Sequence, residues 1–514
     1  MTRRGTIFAA VATALLAAVL IPVIHHYQLR AATEAYIAQL KAQGEPVDLA
    51  QVMPPPVPPE QNGADTFRKA VALFEADQGF LGTNYGIDCM RMVAPGKAEI
   101  CSRRPDVQVN YYATNSWDFH ATAIAQNSES FALLQQIVAR PDFDFRINYE
   151  QGIVDLSFTD LCLAESKQAA LRLETAAVYD LHRGDTGSAV TNLQAMLAIV
   201  KAMRNERLVI SELNRMAIAG IAMAVNWEVL QSTNLTDMQL AELQDDWASL
   251  DFIRSGENAL AMERVTQQIT ANRWRQSSSA LRHNLESWTD WGIGNTAPAF
   301  WKFQIAIAAF QWRYWWTYPD ELRSMKGYQV ALESIRRTET NYALLSLLHE
   351  QEDGINKIGI DTNSAGSLYF TDINKVDLRA LISGAIFVLN PVFKRVMVAE
   401  TTRQMAITAI ALKRYQLKHG NYPPDLNALV PEFLSKIPLD PVDGQPLRYR
   451  QASDGMYLLY SVGENGKDDG GNPALKPGAK LPSYYWQYSD ALDWVWPQPA
   501  TEAEIQNYYA HPPK

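Results

Sequence analysis

Apolar residues recur at helical spacing through most of the chain between about residues 64 and 345. From Leu163 to Leu181 they repeat every three to four positions, and Gly184 follows as a helix stop. Further helices are predicted after Asp185, over about 208–230, and from an N-cap at Thr236. The short turns between them favour antiparallel hairpins, although no strict repeat period is present. The pattern predicts a mainly α fold with a multi-helical body over residues 63–390.

The N-terminus follows a different pattern, in which Arg3 and Arg4 precede an apolar run from Ile7 to Ile24. The run is close to the ~20 residues that span a bilayer, and the arginines place the N-terminus inside. A cleaved signal peptide, with its shorter apolar region, and a buried core helix are the alternatives. We predict a single-pass membrane anchor in residues 1–30, which contacts the membrane through residues 7–24. The bulk of the chain would then be extracytoplasmic, or periplasmic, at the cell membrane.

Residues 31–62 combine a predicted helix, over about 31–43, with a proline-rich linker. Five of the six residues from Pro54 to Pro59 are proline, which excludes a helix or a central strand. The segment predicts a stiff, extended connector that holds the body off the membrane.

A group of tryptophans marks the segment 270–320. It consists of Trp274, Trp288, Trp291, Trp301, Trp312, Trp315 and Trp316. Such a group suits a sugar-stacking cleft, a membrane-interface belt or a protein interface. Trp301, Ile305, Ala308, Ala309 and Trp312 fall at helical spacing. This spacing favours a core of large rings instead.

A second apolar run extends from Ala380 to Leu389 and is too short to cross a bilayer. It predicts a helix that is buried or dips into a surface. A long helix over about 392–419 follows and ends at Gly420.

After this helix the pattern changes to the two-residue period of strands. Leu447 to Arg450 alternate apolar and charged side chains, and Met456 to Val462 are nearly all apolar. Asp454 and Gly455 supply the turn between them. A β-hairpin is therefore predicted.

Oxygen-bearing side chains and glycines crowd the loop behind this hairpin. Calcium takes six to eight oxygen ligands, including backbone carbonyls, and a chain rich in glycine can curl around it. Carbonyls at the end of the strand and a carboxylate from the C-terminal tail could complete such a shell. The predicted calcium ligands are Ser461, Val462, Asn465, Asp468, Asp469, Asp490 and Asp493. The alternative is a solvated polar turn.

Four short motifs in this region carry a family resemblance: Gly420–Pro423, Asp440–Pro441, Tyr460–Gly463 and Asp468–Gly471. With them, residues 395–496 resemble the globular part of the major pseudopilin, type II secretion system protein G. The resemblance implies an α+β module over 391–514, with a long helix, a small antiparallel sheet and a calcium loop.

The chain also departs from that family. Pseudopilins place this module directly after the membrane helix, whereas more than 350 residues intervene here. The glutamate expected at the fifth position after the leader glycine, Gly5, is replaced by Ala10. The whole chain is similar to large uncharacterised membrane-anchored proteins of planctomycete-type bacteria, a likeness that implies no activity.

Charge and motifs narrow the possible chemistry. A net charge of −10 and a pI near 5.4 argue against nucleic-acid binding. No nucleophile-elbow, zinc-protease or phosphate-loop motif is present. Glu263 and Arg264 could form a buried ion pair, or Glu263 could be half of a catalytic carboxylate dyad. His283 and His349 are isolated and are taken as satisfied polar groups.

The chain has three cysteines, Cys89, Cys101 and Cys162. They are too few for a disulfide scaffold and lack zinc-site spacing. Cys89 and Cys101 are predicted to form a bridge in an oxidising compartment, with two buried thiols as the alternative.

These patterns together predict a non-enzymatic scaffold or binding protein, with a protein or another cell-envelope component as its partner. A carboxylate-dependent hydrolase in the helical body is one alternative. An accessory component of a type II secretion or pilus-like system is the other.

Overall fold

The structure, a computed structural model, describes residues 3–76, 87, 89–108, 114–155, 161–293, 299–359, 378–452, 455–481 and 490–511. Within them the chain is mainly helical. The helices are α1 Arg3–Ala42, α2 Leu49–Val52, α3 Ala64–Ala76, α4 Trp117–Gln126, α5 Ser128–Gln136, α6 Leu163–His182, α7 Thr186–Ala202, α8 Val209–Leu230, α9 Asp237–Ala248, α10 Phe252–Gln276, α11 Ser278–Ile293, α12 Ala299–Gln311, α13 Thr317–Arg336, α14 Leu344–Lys357, α15 Leu389–His419 and α16 Glu502–Ala510.

Short strands add three small sheets. They are β1 Arg91–Ala94, β2 Lys97–Glu99, β3 Val107–Gln108, β4 Thr114–Asn115, β5 Arg448–Gln451, β6 Tyr457–Ser461, β7 Trp494–Val495 and β8 Gln498–Pro499. The sheets have the orders β1-β2-β8, β3-β4 and β5-β6-β7. The predicted mainly α fold with a small antiparallel C-terminal sheet is confirmed.

Local sequence signals set several helix ends where we predicted them. Gly184 has a positive φ of 79° after α6, and the Asp185 carboxylate accepts the Ser188 N–H at 3.0 Å to begin α7. Thr236 and Gln239 form a capping box at the start of α9. Gly420 adopts the left-handed conformation that ends α15.

Helix α15 joins the helical body to the C-terminal region. It packs against α8, α9, α10 and α14, and Met397, Ile410 and Leu412 are fully buried. One continuous hydrophobic core includes residues from α3 through β7. The predicted boundary near residue 390 therefore does not separate two cores.

The C-terminal tail returns to an early hairpin that the sequence patterns did not predict. β1 and β2 are antiparallel, and β8 adds to β2 in parallel. The Gln498 N–H donates to the Gly96 carbonyl at 3.0 Å, and the Ala500 N–H donates to Ala98 at 2.7 Å. The buried Trp227 indole N–H donates to the Pro497 carbonyl at 2.9 Å. Residues about 400 positions apart are thus joined.

The second half of α1 packs on α13. The Thr33 hydroxyl donates to the Tyr318 carbonyl at 3.2 Å, and Leu40 shares a small buried cluster with Met325. The proline segment is non-helical, as predicted, and Arg207 donates to the Val52 carbonyl just before it at 2.8 Å. Because the second half of α1 packs on the body, the proline segment does not hold the body away from α1.

Among the described residues, no helix is both long and apolar enough to cross a membrane. The backbone over 7–24 is helical, but most side chains of residues 7–19 lie outside the described set. The predicted transmembrane span is not supported by the described residues and stays a prediction.

The tryptophan-rich segment divides between core and surface. Trp274 and Trp312 are fully buried, with ring centroids 5.5 Å apart in an edge-to-face arrangement. Ile305, Ala308 and Ala309 pack in the same core, as predicted. In contrast, Trp315 is exposed. The side chains of Trp288, Trp291 and Trp301 lie outside the described residues.

The apolar run before α15 forms 3₁₀ turns, at Leu378–Ala380 and Ser383–Val388, and not a regular helix. Ile382 and Ile386 are buried, which agrees with the predicted burial. The buried Asp320 carboxylate accepts the N–H groups of Ile382 and Ser383 at 2.9 and 2.8 Å. This carboxylate therefore fixes the irregular segment.

The predicted bridge between Cys89 and Cys101 is wrong, because all three cysteines are buried free thiols. The Cys89 thiol donates to the Glu174 carboxylate at 2.8 Å, and the Cys101 sulfur lies 3.8 Å from the Glu99 carbonyl. Burial raises the pKa of both thiols, Cys89 and Cys101. Each thiol has its own acceptor, so the two form buried thiols in place of a bridge.

Candidate metal loop and buried carboxylates

The candidate metal loop follows β6, residues 462–472, and is closed by β7. Because β6 pairs with β7 antiparallel, Ser461 is opposite Trp494, and Asp493 lies beside the loop. Asp493 is fully buried. Its carboxylate accepts the backbone N–H groups of Gly471 and Asn472 at 2.8 and 2.9 Å. Asp493 therefore organises the loop from within.

A glycine is required at position 471. Its φ is +78°, and a Cβ there would lie 2.5 Å from the Leu458 side chain. This close approach lets the backbone N–H reach the Asp493 carboxylate.

Asn465 and Asp469 lie together on the outer side of this loop. The Asn465 amide donates to the Asp469 carboxylate at 2.7 Å, and the Asp469 N–H points to Asp493 at 3.4 Å. The Asp468 carboxylate makes different contacts: it accepts the Tyr460 hydroxyl at 2.9 Å and the Gly470 N–H at 3.0 Å. The Gly470 N–H and then the Tyr460 hydroxyl lower the pKa of Asp468.

The other predicted ligands are engaged in different contacts. The Ser461 hydroxyl and the Val462 N–H donate to the buried Asp440 carboxylate at 2.8 and 3.0 Å. Asp490 is exposed, and its carbonyl accepts the Lys476 N–H at 2.8 Å. The structure therefore brings Asn465, Asp469 and Asp493 together. The carbonyls of Ser461 and Val462, which are the atoms predicted to bind calcium, are not used in these bonds to Asp440 and stay predicted ligands.

This donor set fits calcium in part. Within the described chain, no three side chains from histidine, cysteine, aspartate or glutamate converge as metal ligands. Asp469 and Asp493 supply two carboxylates, and each carboxylate oxygen can accept more than one contact. Calcium bound there would need carbonyls and water for its remaining ligands.

Asp440 also belongs to this site, although the sequence pattern marked it only within the Asp440–Pro441 motif. Arg448 and the Val442 N–H also donate to its carboxylate, at 3.1 and 3.0 Å. Burial raises its pKa to about 6. Asp440 thus connects the segment between α15 and β5 to the end of β6, where the candidate metal loop begins.

A cleft of about 270 Å³ lies between α8 and α15. Its lining consists of Leu213, Met216, Ala217, Ala219, Gly220, Trp247, Arg395, Val398, Ala399 and Thr402. Arg395 is the charged member of this lining, which contains no carboxylate. The cleft therefore offers no acid–base pair for hydrolysis.

Glu263 and Arg264 do not pair with each other. The Glu263 carboxylate accepts the Val209 N–H at 3.0 Å and the Tyr328 hydroxyl at 2.9 Å. Arg264 instead reaches Glu45 at 3.2 Å. Burial raises the pKa of Glu263 to about 7. Glu263 joins α10 to α8 and α13, and Arg264 joins α10 to Glu45. The ion pair between Glu263 and Arg264, one of the two alternatives, does not form.

Glu206 is a buried carboxylate that the sequence did not suggest. Only 2% of the residue is exposed, and neither side-chain oxygen makes a hydrogen bond of ordinary geometry among the described residues, with the nearby Ser211 hydroxyl opposing the rise in its pKa. Burial raises the pKa of Glu206 to about 8. No local motif marks it. His283 and His349, by contrast, are both exposed.

Comparison of the chain with protein-family models, curated proteins and solved structures finds no match. Function is therefore argued from the molecule itself.

Proposed function

We propose that this chain is a membrane-anchored, extracytoplasmic scaffold or binding protein without enzymatic activity. Residues 7–24 hold it in the cell membrane as a single span. The pseudopilin-like region, residues 391–514, binds calcium and stiffens the end of the molecule that meets a protein or another cell-envelope partner.

The observation that carries this proposal is how buried carboxylates are used. Glu228 on α8 accepts the N–H groups of Met90 and Cys101 at 3.1 and 2.7 Å. Glu400 on α15 accepts the Tyr342 hydroxyl at 2.6 Å. Such carboxylates link segments distant in sequence and do not face an open cleft. This use suits a rigid support better than hydrolysis.

Calcium binding rests on Asp469 and Asp493 in the glycine-rich loop, where the Asp469 N–H points to the Asp493 carboxylate and the Asp469 carboxylate contacts Asn465. Extracellular calcium modules often have dissociation constants of about 10⁻⁴–10⁻³ M, which a set of two carboxylates would suit. Bound calcium would fix the loop relative to β7.

A carboxylate-dependent hydrolase is the second candidate, and Glu206 favours it. A buried carboxyl with a pKa near 8 could act as a general acid at neutral pH. A hydrolase would need a second carboxylate, and the lining of the cleft between α8 and α15 contains none.

A secretion or pilus accessory role is supported by the sequence resemblance alone. In pseudopilins the long helix continues the membrane segment. Here α15 is enclosed by α8, α9, α10 and α14. This packing disfavours assembly into a pilus-like fibre through α15.

Topology is the test of the proposed function. An enzyme reporter that is active only outside the cytoplasm, fused after Lys514, should be active, and the fusion should resist alkaline extraction from membranes. A matched fusion to a reporter active only in the cytoplasm should be silent. Activity of the cytoplasmic reporter, or release at alkaline pH, would contradict the proposal.

A further inference from the structure

Helix α12 and the π-helical turn Trp312–Trp316 that continues it present an apolar face to solvent. Phe303, Ile307, Phe310 and Tyr314 are all exposed, and their spacing of four, three and four residues puts them on one side. Trp315 extends the face, with its ring centroid 6.0 Å from that of Phe310. We call these five residues the aromatic face.

The opposite side of the same helix is also apolar. Ile305, Ala308 and Ala309 pack in the core formed around Trp274 and Trp312. A helix with two opposite apolar sides normally has both sides covered, by protein or by lipid. Here the core covers one side and leaves the aromatic face open.

The aromatic face adjoins the N-terminal helix. The His26 Nδ1 atom lies 2.7 Å from the Tyr314 carbonyl oxygen, and the His26 ring is 5.1 Å from that of Tyr318. The described chain exposes eighteen large hydrophobic residues, six of them between Leu16 and Tyr27 and five in the aromatic face. Eleven of the eighteen therefore form two neighbouring patches, which is not the scatter of an ordinary surface.

Charge around the aromatic face suits a lipid surface. Residues 291–319 contain no aspartate or glutamate and carry only Lys302 and Arg313, although the chain as a whole has a net charge of −10. Tryptophan and tyrosine are enriched at membrane interfaces, where basic side chains attract anionic headgroups. A local excess of positive charge in an acidic protein fits this environment.

We infer that the aromatic face lies in the interfacial layer of the bilayer that the N-terminal segment enters, with α12 as a membrane-contacting helix. The inference rests on the proposed membrane anchor, because continuity with that segment selects lipid as the occupant. The body would then rest on the membrane through two contacts, the anchor and α12, which would fix its orientation.

The test uses full-length protein in liposomes that contain anionic lipid. An environment-sensitive fluorophore is attached at Phe310→Cys, at Leu16→Cys in the anchor, or at Met238→Cys, while the native thiols are buried. Met238 is the matched control, because it is exposed on α9 and lies outside both patches. Lipids with a spin label at a shallow or a deep position then quench fluorophores that contact the bilayer.

We expect shallow spin labels to quench the fluorophore at position 310 and deep labels to quench the one at position 16, with no quenching at 238. Quenching at 16 but not at 310 would overturn this inference and leave the anchor intact. No quenching at either position would contradict the anchor itself. A fluorophore at 310 that is shielded from water but not quenched would mean that another copy covers the face, which also overturns the inference.

Discussion

At the scale of single residues, the buried carboxylates serve different purposes. Glu228 accepts the N–H groups of Met90 and Cys101, whereas Glu206 makes no hydrogen bond of ordinary geometry among the described residues and has the Ser211 hydroxyl nearby. Burial raises the pKa of both carboxyls; at Glu228 the N–H donors oppose that rise, whereas at Glu206 little opposes it and the neutral acid is favoured. Glu206 should therefore be protonated in the folded protein at neutral pH.

Replacing Glu206 with glutamine should change how stability depends on pH. The pKa of Glu206 is raised to about 8 from an ordinary 4.5, so the folded state holds the proton more tightly. Its stabilising contribution is complete below pH 4.5 and is lost as the pH rises through 8, by about 1.4 kcal/mol per unit. Glutamine cannot ionise, so Glu206→Gln should match the wild type near pH 5 and exceed its free energy of unfolding near pH 9.

Denaturant unfolding of both proteins across this pH range measures the effect. Glu263→Gln is the comparison. The pKa of Glu263 is raised only to about 7, and two donors remain when it is ionised, so the stability difference should change less with pH. If the difference between Glu206→Gln and the wild type does not change with pH, the protonated state of Glu206 is refuted.

Calcium should stabilise the full chain through Asp469. At ten times its dissociation constant, calcium would add about 1.4 kcal/mol to the free energy of unfolding. Asp469→Ala should abolish this gain, because it removes a carboxylate that contacts Asn465 and whose charge acts on Asp493. Asp490→Ala should retain it, since Asp490 is exposed beside Lys476.

Unfolding in calcium and in chelator gives the comparison, with the protein held in detergent. Magnesium should stabilise less, because its rigid octahedral shell suits a flexible loop poorly. An equal free energy of unfolding in calcium and chelator would remove calcium from the proposed function.

At the scale of elements, the C-terminal tail is a strand donor to a distant hairpin. β8 covers the edge of β2, and the Tyr509 hydroxyl on α16 donates to the Glu99 carboxylate at 2.8 Å. An open strand edge is prone to pairing with other chains. The tail therefore protects the early hairpin as well as holding it.

A chain that ends after Trp496 should be less stable by about 3 kcal/mol. It would lose β8 and leave the buried Trp227 indole N–H without its acceptor, which alone costs about 1–3 kcal/mol. Limited proteolysis should then cut within residues 91–108. Tyr509→Phe, which removes one hydroxyl, should cost only about 1 kcal/mol. Wild-type stability in the truncated chain would show that the tail is not structural.

At the scale of the whole molecule, one core extends through the body and the C-terminal region, residues 391–514. The N–H groups of Leu344 and Leu345 donate to the carbonyls of Pro441 and Val442 at 2.8 and 3.2 Å. Gln244 on α9 donates to the Phe433 carbonyl at 2.7 Å. These contacts, added to the burial of α15, tie the region to the body.

A fragment of residues 389–514 should consequently fail to fold alone. Its long helix would expose side chains that the body buries, including Met397 and Ile410. We expect no cooperative unfolding transition and rapid proteolysis, in contrast to the intact chain. A sharp thermal transition with dispersed amide resonances would show instead that the region is an independent domain.

Helices, caps and the C-terminal hairpin followed from the sequence by itself. The helix ends at Gly184, Thr236 and Gly420 depend on a few adjacent residues, and the period of β5 and β6 depends on alternation within each strand. Such signals are local, so the neighbouring residues are enough to predict these elements.

Tertiary structure alone decided the remaining features. The pairing of β8 with β2, the burial of Glu206 and the separate acceptors of Cys89 and Cys101 depend on segments far apart in the chain. The same is true of the candidate metal loop, in which Asn465, Asp469 and Asp493 come together. Burial and proximity are set by the packing of all elements together, and no local pattern of residues encodes them.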